Sequence, residues 1–326
     1  MRILVALGGN ALLERGETAA AEAQRRKVEV AARALADLAA EHELIVTHGN
    51  GPQVGLLALQ SESYPDVEPY PLDVLGAESE GMVGHMLELA LRNALPGREV
   101  ITVLTEVVVS PQDPAFHRPS KPIGPVYPER RARCLAAERG WTIGPDGDGF
   151  RRLVPSPDPH AIAELRSLRV LIDAGALVIC AGGGGIPTVV DGAGEMRGVE
   201  AVIDKDLTAA LLARRLDADL LLMLTDVDAV RLGWGEPGER ALAAATPAEL
   251  RRLDFAAGSM RPKVEAACRF VEATGRRAAI GALADAPLII LGEAGTTVRP
   301  APERVPAVAA AGDGRAGAAA RPLPRR

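Results

Sequence analysis

The chain carries thirty-three arginines against four lysines, and three of those lysines stand in sequences suited to handling negative charge. Lys205 lies in Val202-Ile203-Asp204-Lys205-Asp206, at the start of a helical stretch that continues through Leu216. Flanking carboxylates keep an ammonium protonated and restrain its direction. Lys263, in Gly258-Ser259-Met260-Arg261-Pro262-Lys263, falls in a first helical turn. A cation there opposes the helix dipole, so local helix stability does not account for it; an anion shared with the helix end would. Lys121 stands between Ser120 and the stiff run Pro122-Ile123-Gly124-Pro125, a setting able to deliver one charge to a site on closure. Lys27, in Arg25-Arg26-Lys27, has no such surroundings and reads as a remnant of a coding bias toward arginine. A lysine retained against that bias marks a place where a compact ammonium is needed and a flat guanidinium would not fit.

Three glycine turns supply the complementary half of such a site. Gly8-Gly9-Asn10 follows one apolar run, Gly49-Asn50-Gly51-Pro52 a second, and Gly182 to Gly185 a third that ends at Cys180. Glycine lets the backbone approach an anion closely, and unpaired amides at a helix start point toward it. Singly each turn is weak evidence, since glycine also marks ordinary tight crossovers; three at three strand ends make a phosphate-binding rim. GxxxxGK[ST] does not occur, and GxGxxG occurs only at Gly233 to Gly238 and Gly312 to Gly317, away from the three strand-end turns, which disfavours a P-loop and a dinucleotide fold. Ammonium groups converging on anion turns, without a Ser/His or Cys/His nucleophile array, fit phosphoryl transfer, which requires alignment and charge neutralisation more than covalent chemistry. Leu224-Thr225-Asp226-Val227-Asp228 could line a nucleotide pocket, or its acids could cap the next turn.

The elements that must position these residues are legible as short apolar runs. Ile3 to Leu7, Leu44 to Thr47, Val100 to Leu104, Leu177 to Cys180 and Leu220 to Leu224 have the length of buried parallel strands. Between the first two, Val28, Ala31, Leu35 and Leu38 recur at helical spacing, Pro52 marks a helix start, and Ser259 and Gly275 bracket a helix holding Lys263. Strands alternating with helices predict a parallel sheet covered on both faces, with ligands at the carboxyl ends of its strands. Residues 111–159, rich in Pro, Gly, Arg and Asp, are too long for an ordinary loop and read as an inserted subdomain or lid. Residues 299–326 collapse to Ala, Pro, Arg and Gly and read as a disordered tail.

Composition bounds the rest. Hydrophobic residues make up 48% and aromatics only 3%, so the core must be built from Ala, Val, Leu and Ile. A net charge of -6 leaves no electrostatic footprint for nucleic acid. The amino-terminal apolar run is too short for a signal peptide or membrane span. The three cysteines have neither pairing nor metal-site spacing, which fits a reducing compartment; a soluble cytoplasmic protein is expected.

Taken together, VALGGNA (Val5 to Ala11), HGNGPQVG (His48 to Gly55), LTEVVV (Leu104 to Val109), KPIGP (Lys121 to Pro125), GGGGIP (Gly182 to Pro187), GVEAVIDKD (Gly198 to Asp206), LTDVD (Leu224 to Asp228) and GSMRPKVEAA (Gly258 to Ala267) resemble the carbamate kinases of the amino-acid kinase superfamily, in order, from Met1 to about Val298. The resemblance implies an α/β fold, a three-layer α/β/α sandwich with a mainly parallel central sheet and a small protruding subdomain, assembled as a homodimer. It implies reversible transfer between ATP and carbamate, giving ADP and carbamoyl phosphate, with Mg²⁺ carried by the nucleotide and no direct protein ligands to the metal. On the matched motifs, Gly8, Gly9, Asn10, Gly49, Asn50 and Gly51 would hold carbamate and the transferring phosphoryl group. Lys205 and Lys263 would neutralise its charge, Asp206 would orient them, and Lys121 would reach onto carbamoyl phosphate from the subdomain. Gly183, Gly184, Thr225, Asp226, Val227, Asp228 and Met260 would form the nucleotide side. Two other readings stand beside this one: a kinase of another small carboxylate or phosphate, and a catalytically silent nucleotide-binding regulator. Glu80 and His85 depart from the family pattern, where a neutral Gln and a Tyr are usual; they read as tolerated variation on a helix, with a pocket or dimer-interface role as the alternative.

Overall fold

A computed structural model describes residues 1–9, 20–255 and 260–301. Expectations placed on Asn10, on Ser259 and on the tail beyond Ala301 lie outside the described residues.

The centre is an eight-stranded sheet. Its strands run in the order Ala244–Ala245, Thr296–Val298, Arg277–Ala282, Leu220–Thr225, Arg2–Leu7, Glu43–His48, Leu177–Cys180 and Val100–Val103. All neighbours are parallel except Thr296–Val298 against Arg277–Ala282. Side chains alternate across a strand, and both faces here are covered, which is why residues 3–7 and 220–224 are apolar at every position. Leu4 and Ala6 join Ile45, Val178, Leu221 and Met223 in one core, under the helices Leu165–Asp173, Lys205–Arg215 and Met260–Thr274. Ile3, Val5 and Leu7 join Leu44, Val46, Leu220 and Leu222 in the other, under Ala21–Ala39, Leu72–Ala94 and Ala286–Leu291. The protein is therefore a three-layer α/β/α sandwich with a mainly parallel sheet. Phe270 is the one aromatic among its largest fully buried side chains, as the aliphatic composition requires.

Besides a two-stranded ribbon of Arg231–Leu232 and Arg240–Ala241, two smaller sheets flank this body. Met196–Gly198, Ile186–Val190, Glu106–Val109 and Pro159–Ile162 form one. Lys121–Tyr127, Gly149–Val154 and Thr142–Asp146 form the other, an antiparallel sheet carrying the helix Glu129–Arg139. It docks on the helix Gly51–Ser63 through Ile123 and Val154, which pack with Val54, Ala58, Leu72 and Leu75. Arg139 pairs with Glu62 of that helix, and Arg139 and Arg152 lie over Trp141 at 5.0 and 5.1 Å from its ring centre. Among the described residues no helix is long and apolar enough to cross a membrane.

Candidate active site

The site forms where the central parallel strands end. Gly8 N–H donates to Leu224 O at 2.7 Å and Gly49 N–H to Leu7 O at 3.0 Å, so successive turns are knitted across the sheet edge. The turns touch: a methyl group on Gly49 would lie 2.8 Å from Gly9 N and 3.5 Å from Lys205 Cε. Asn50 is buried and donates from its side-chain amide to Ser79 Oγ at 2.7 Å, while Ser79 Oγ donates to Gly76 O at 2.9 Å. The third turn, Ala181 to Gly185, is wedged between that amide and the helix that starts at Lys205. A Cβ on Gly183 would collide with the Asn50 amide, and one on Gly184 would lie 2.5 Å from Ile203 O. Thr208 Oγ1 donates to Gly184 O at 2.9 Å and pins the turn to that helix.

Gly183 also has φ +69°, a region unfavourable for any residue bearing a Cβ. Gly183→Ala is therefore expected to displace Asn50 and to cost about 1–3 kcal/mol of stability, with turnover falling at least as steeply. Thermal melts and steady-state kinetics on the same preparation check it. An unchanged KM and kcat would mean that the turn does not shape the site.

The lysines converge as one cluster. Asp204 caps the helix Lys205–Arg215, accepting from Asp206 N–H at 2.9 Å and Leu207 N–H at 3.4 Å through one oxygen, and accepts from Lys121 Nζ at 2.8 Å through the other. Asp206, one residue into the helix, accepts from Lys205 Nζ at 2.5 Å and, through its second oxygen, from Lys263 Nζ at 3.1 Å. These last three side chains are nearly sealed, at 12%, 5% and 8% exposure for Lys205, Asp206 and Lys263. Burial opposes ionisation of Asp206, but the ammoniums of Lys205 and Lys263 outweigh it and hold the carboxyl well below the usual carboxylate range. Burial pulls the Lys205 ammonium below its ordinary value; Asp206 counters that pull, and the Lys263 charge adds to it. Three ammoniums against two carboxylates leave the cluster with one excess positive charge beside the glycine turns. Such a site favours an anionic ligand.

The structure thus brings together Lys205, Asp206, Lys263, Gly8, Gly9, Gly49, Asn50, Gly183 and Gly184. Lys121 arrives from the three-stranded sheet, where it rests on Asp204. Thr225 is buried beside Gly8 and donates from Oγ1 to Asp226 at 3.0 Å. Asp226 and Asp228 are exposed, Val227 lies half-buried between them, and Asp228 binds the Arg231 guanidinium at 3.0 and 2.8 Å. Met260 opens the helix that carries Lys263 and packs, half-buried, on the core. Sequence reading assigned no role to Ser79 or Thr208, and it did not foresee that Asp204 joins the helix cap to Lys121. His85 is exposed, as a tolerated variation on a helix would be, whereas Glu80 is buried beneath the glycine turn.

An open α/β sheet whose strand ends present glycine turns to a lysine–carboxylate cluster defines a phosphate-handling enzyme. The amino acid kinase family model matches residues 1–282. Carbamate kinase of Rhizobium meliloti is 56% identical, covering 91% of this chain and 93% of its own length. That of Haemophilus influenzae is 52% identical, with coverage of 91% and 96%. Among solved structures, carbamate kinase from Giardia lamblia bound to AMP-PNP superposes with a TM-score of 0.84 at 40% identity, covering 92% of this chain and 98% of that one. The chain belongs to the amino acid kinase family and, within it, to the carbamate kinases.

Proposed function

We propose that this protein is a working carbamate kinase, catalysing ATP + carbamate ⇌ ADP + carbamoyl phosphate, with net use toward ATP. The observation that carries this reading is the pair of ammoniums shared by one buried carboxylate at a helix start, facing turns of unencumbered backbone. In-line phosphoryl transfer spreads negative charge over the equatorial oxygens, and fixed positive charge in a dry site stabilises it without reorganisation. Lys205 and Lys263 supply that charge, Asp206 sets their direction, and Gly8, Gly9, Gly49, Asn50 and Gly51 hold the phosphoryl group and carbamate. Gly183, Gly184, Thr225 to Asp228 and Met260 form the nucleotide side.

Mg²⁺ enters this reading on the phosphate oxygens of the nucleotide, where it neutralises charge. Both oxygens of Asp206 and both of Asp204 are committed to ammoniums and the helix cap, a donor set fitted to lysines rather than to a dedicated metal cage. Residues 111–159 act as a lid in this scheme, with 1–298 as the catalytic unit. A cytoplasmic homodimer completes it. Three free cysteines fit the compartment, the family resemblance supports the assembly, and sedimentation tests it.

The direct test is ATP formation from ADP and carbamoyl phosphate in a coupled assay. Tight nucleotide binding without turnover would overturn the enzyme and favour a silent binding protein. Lys121 gives a second, independent check. If its ammonium moves from Asp204 onto carbamoyl phosphate, Lys121→Met removes a charge-assisted hydrogen bond of roughly 1.5–3 kcal/mol. That predicts a fall of about 10–100-fold in kcat/KM for carbamoyl phosphate, with ADP affinity little changed. Equal losses for both substrates would assign Lys121 a purely structural role.

A further inference from the structure

Beneath the third glycine turn lies a buried polar network that the scheme above does not use. Glu80, 1% exposed, accepts from Gly182 N–H at 2.8 Å through one oxygen and from Thr105 N–H at 3.3 Å through the other. Thr105 Oγ1 donates to Val103 O at 2.8 Å and accepts from Ala181 N–H at 3.0 Å, and Thr47 Oγ1 donates to Ala181 O at 2.9 Å. Ala181 is held at φ +50°, a strained conformation for a residue with a Cβ, and persists there because its neighbours fix both of its polar groups. The turn leaving this network is the one pressed between Asn50 and the backbone of Ile203 to Lys205. A shift of Gly182 is therefore passed to a candidate phosphate-holding residue on one side and to the lysine helix on the other.

We propose that Glu80 is a positioning residue for phosphoryl transfer: its carboxylate ties the N–H groups of Thr105 and Gly182 together and so fixes the Ala181–Gly185 turn between Asn50 and Lys205. This rests on the reaction proposed above. The geometry makes the clamp depend on protonation. An ionised carboxylate offers an acceptor to each N–H, whereas a protonated one turns one oxygen into a donor and loses a bond. Burial is the largest influence on Glu80 and pushes it up to about 8; the two backbone N–H groups pull the other way. The groups around it add no cation in direct contact. His48 Nδ1 bonds to Gly49 O at 3.1 Å, which places its proton there, and leaves Nε2 bare and buried against the same side of Gly182 as the Glu80 side chain. Burial keeps that imidazole neutral, down at about 4. Glu164 raises Glu80 further, and the Cys180 thiol, itself held high by burial, stays uncharged. The clamp therefore closes as pH rises through about 8 and loosens below it.

The test compares wild type with Glu80→Gln between pH 6 and pH 9, in the direction of ATP formation. Glutamine keeps one acceptor and presents an NH₂ group to the second N–H, so it mimics the protonated clamp at every pH. The expected result is a turnover ratio of about tenfold at pH 9, the worth of one buried hydrogen bond, shrinking toward unity at pH 6. Effects of pH on the substrates cancel in that ratio. A ratio constant across the range would overturn the proposal, since a merely structural role predicts it. Amide hydrogen exchange at pH 8 is read alongside, with Gly182 and Thr105 expected to exchange several-fold faster in the variant; unchanged exchange overturns the clamp. Wild type that forms no ATP at any pH would instead overturn the reaction, and the exchange data then decide the clamp alone. If Glu80→Gln does not melt cooperatively, Glu80→Asp replaces it. That carboxylate is too short to span both N–H groups, so lower turnover with a retained pH rise supports the proposal and wild-type turnover overturns it.

Discussion

Lys205→Arg is expected to lower turnover by about 10²–10³-fold, the scale seen when one preorganised transition-state donor is lost, although the charge is conserved. The reason is geometric. The Lys205 stem passes 3.5 Å from where a side chain on Gly49 would begin, and its Nζ ends 2.5 Å from Asp206 Oδ1 with only 12% of the side chain exposed. A guanidinium is longer and planar, and its fork binds a carboxylate through both oxygens. Asp206 has two oxygens, and Lys263 holds the second at 3.1 Å. Arginine would therefore take both, evict Lys263 and leave neither charge where two point charges now stand. The KM for nucleotide should move far less than kcat, because the groups lost act on the transferring phosphoryl. Steady-state kinetics of ATP formation decide it: near-normal kcat would remove Lys205 from the reacting centre.

The candidacy of Lys205 was legible from sequence because four lysines stand out against thirty-three arginines. Its partnership with Lys263 was not derivable from spacing. It exists because the helices Lys205–Arg215 and Met260–Thr274 pack side by side under one face of the sheet, bringing Lys263 onto a carboxylate 57 residues away in sequence. The fold divides the same way. Strands with both faces covered announce themselves as unbroken apolar runs, as Leu220–Thr225 does. Arg277–Ala282 hides, since an Arg-Ala-Ala-Ile-Gly-Ala run carries little β-branching and is a strand only because Leu220–Thr225 and Thr296–Val298 pair with it. Glu106–Val109 and Ile186–Val190 are rich in β-branched residues, yet their pairing into a flanking sheet depends on long-range contacts that spacing does not give. Glu80 did leave a local trace. Leu72, Leu75, Ser79, Val83, Leu87 and Leu91 make the buried stripe of their helix, and Glu80 beside Ser79 is buried with them. A charge at an inward helical position was the available signal, and comparison with a neutral family residue obscured it.

The second large effect is expected from Asp206→Asn, and its first reading is stability. The wild-type carboxylate is worth keeping ionised because two buried ammoniums share it. Removing the charge leaves Lys205 and Lys263 side by side with no carboxylate in contact, and Asp204 acting on Lys205 only at longer range. Breaking a buried pair in this way costs about 3–5 kcal/mol, which for a domain of this size lowers the melting temperature by on the order of 10 °C. The pH dependence has a definite sign. The folded value of Asp206 lies below its ordinary 3.8, so the wild-type protein binds fewer protons there than the unfolded chain does. That stabilisation is present above pH 3.8 and lost as pH falls through the folded value. The gap between wild type and variant should therefore be full at pH 7 and narrow under acid conditions. Ligand separates charge compensation from mere scaffolding. A ligand carrying the transferring phosphoryl brings the missing negative charge to the same two ammoniums, so ATP should raise the melting temperature of Asp206→Asn by more than it raises that of the wild type. Turnover should stay at least as low as in Lys205→Arg, because bound anion restores neutrality without restoring direction. Equal ligand shifts in the two proteins would show that the ammoniums do not meet the phosphates, and the site would have to be sought elsewhere along the sheet edge.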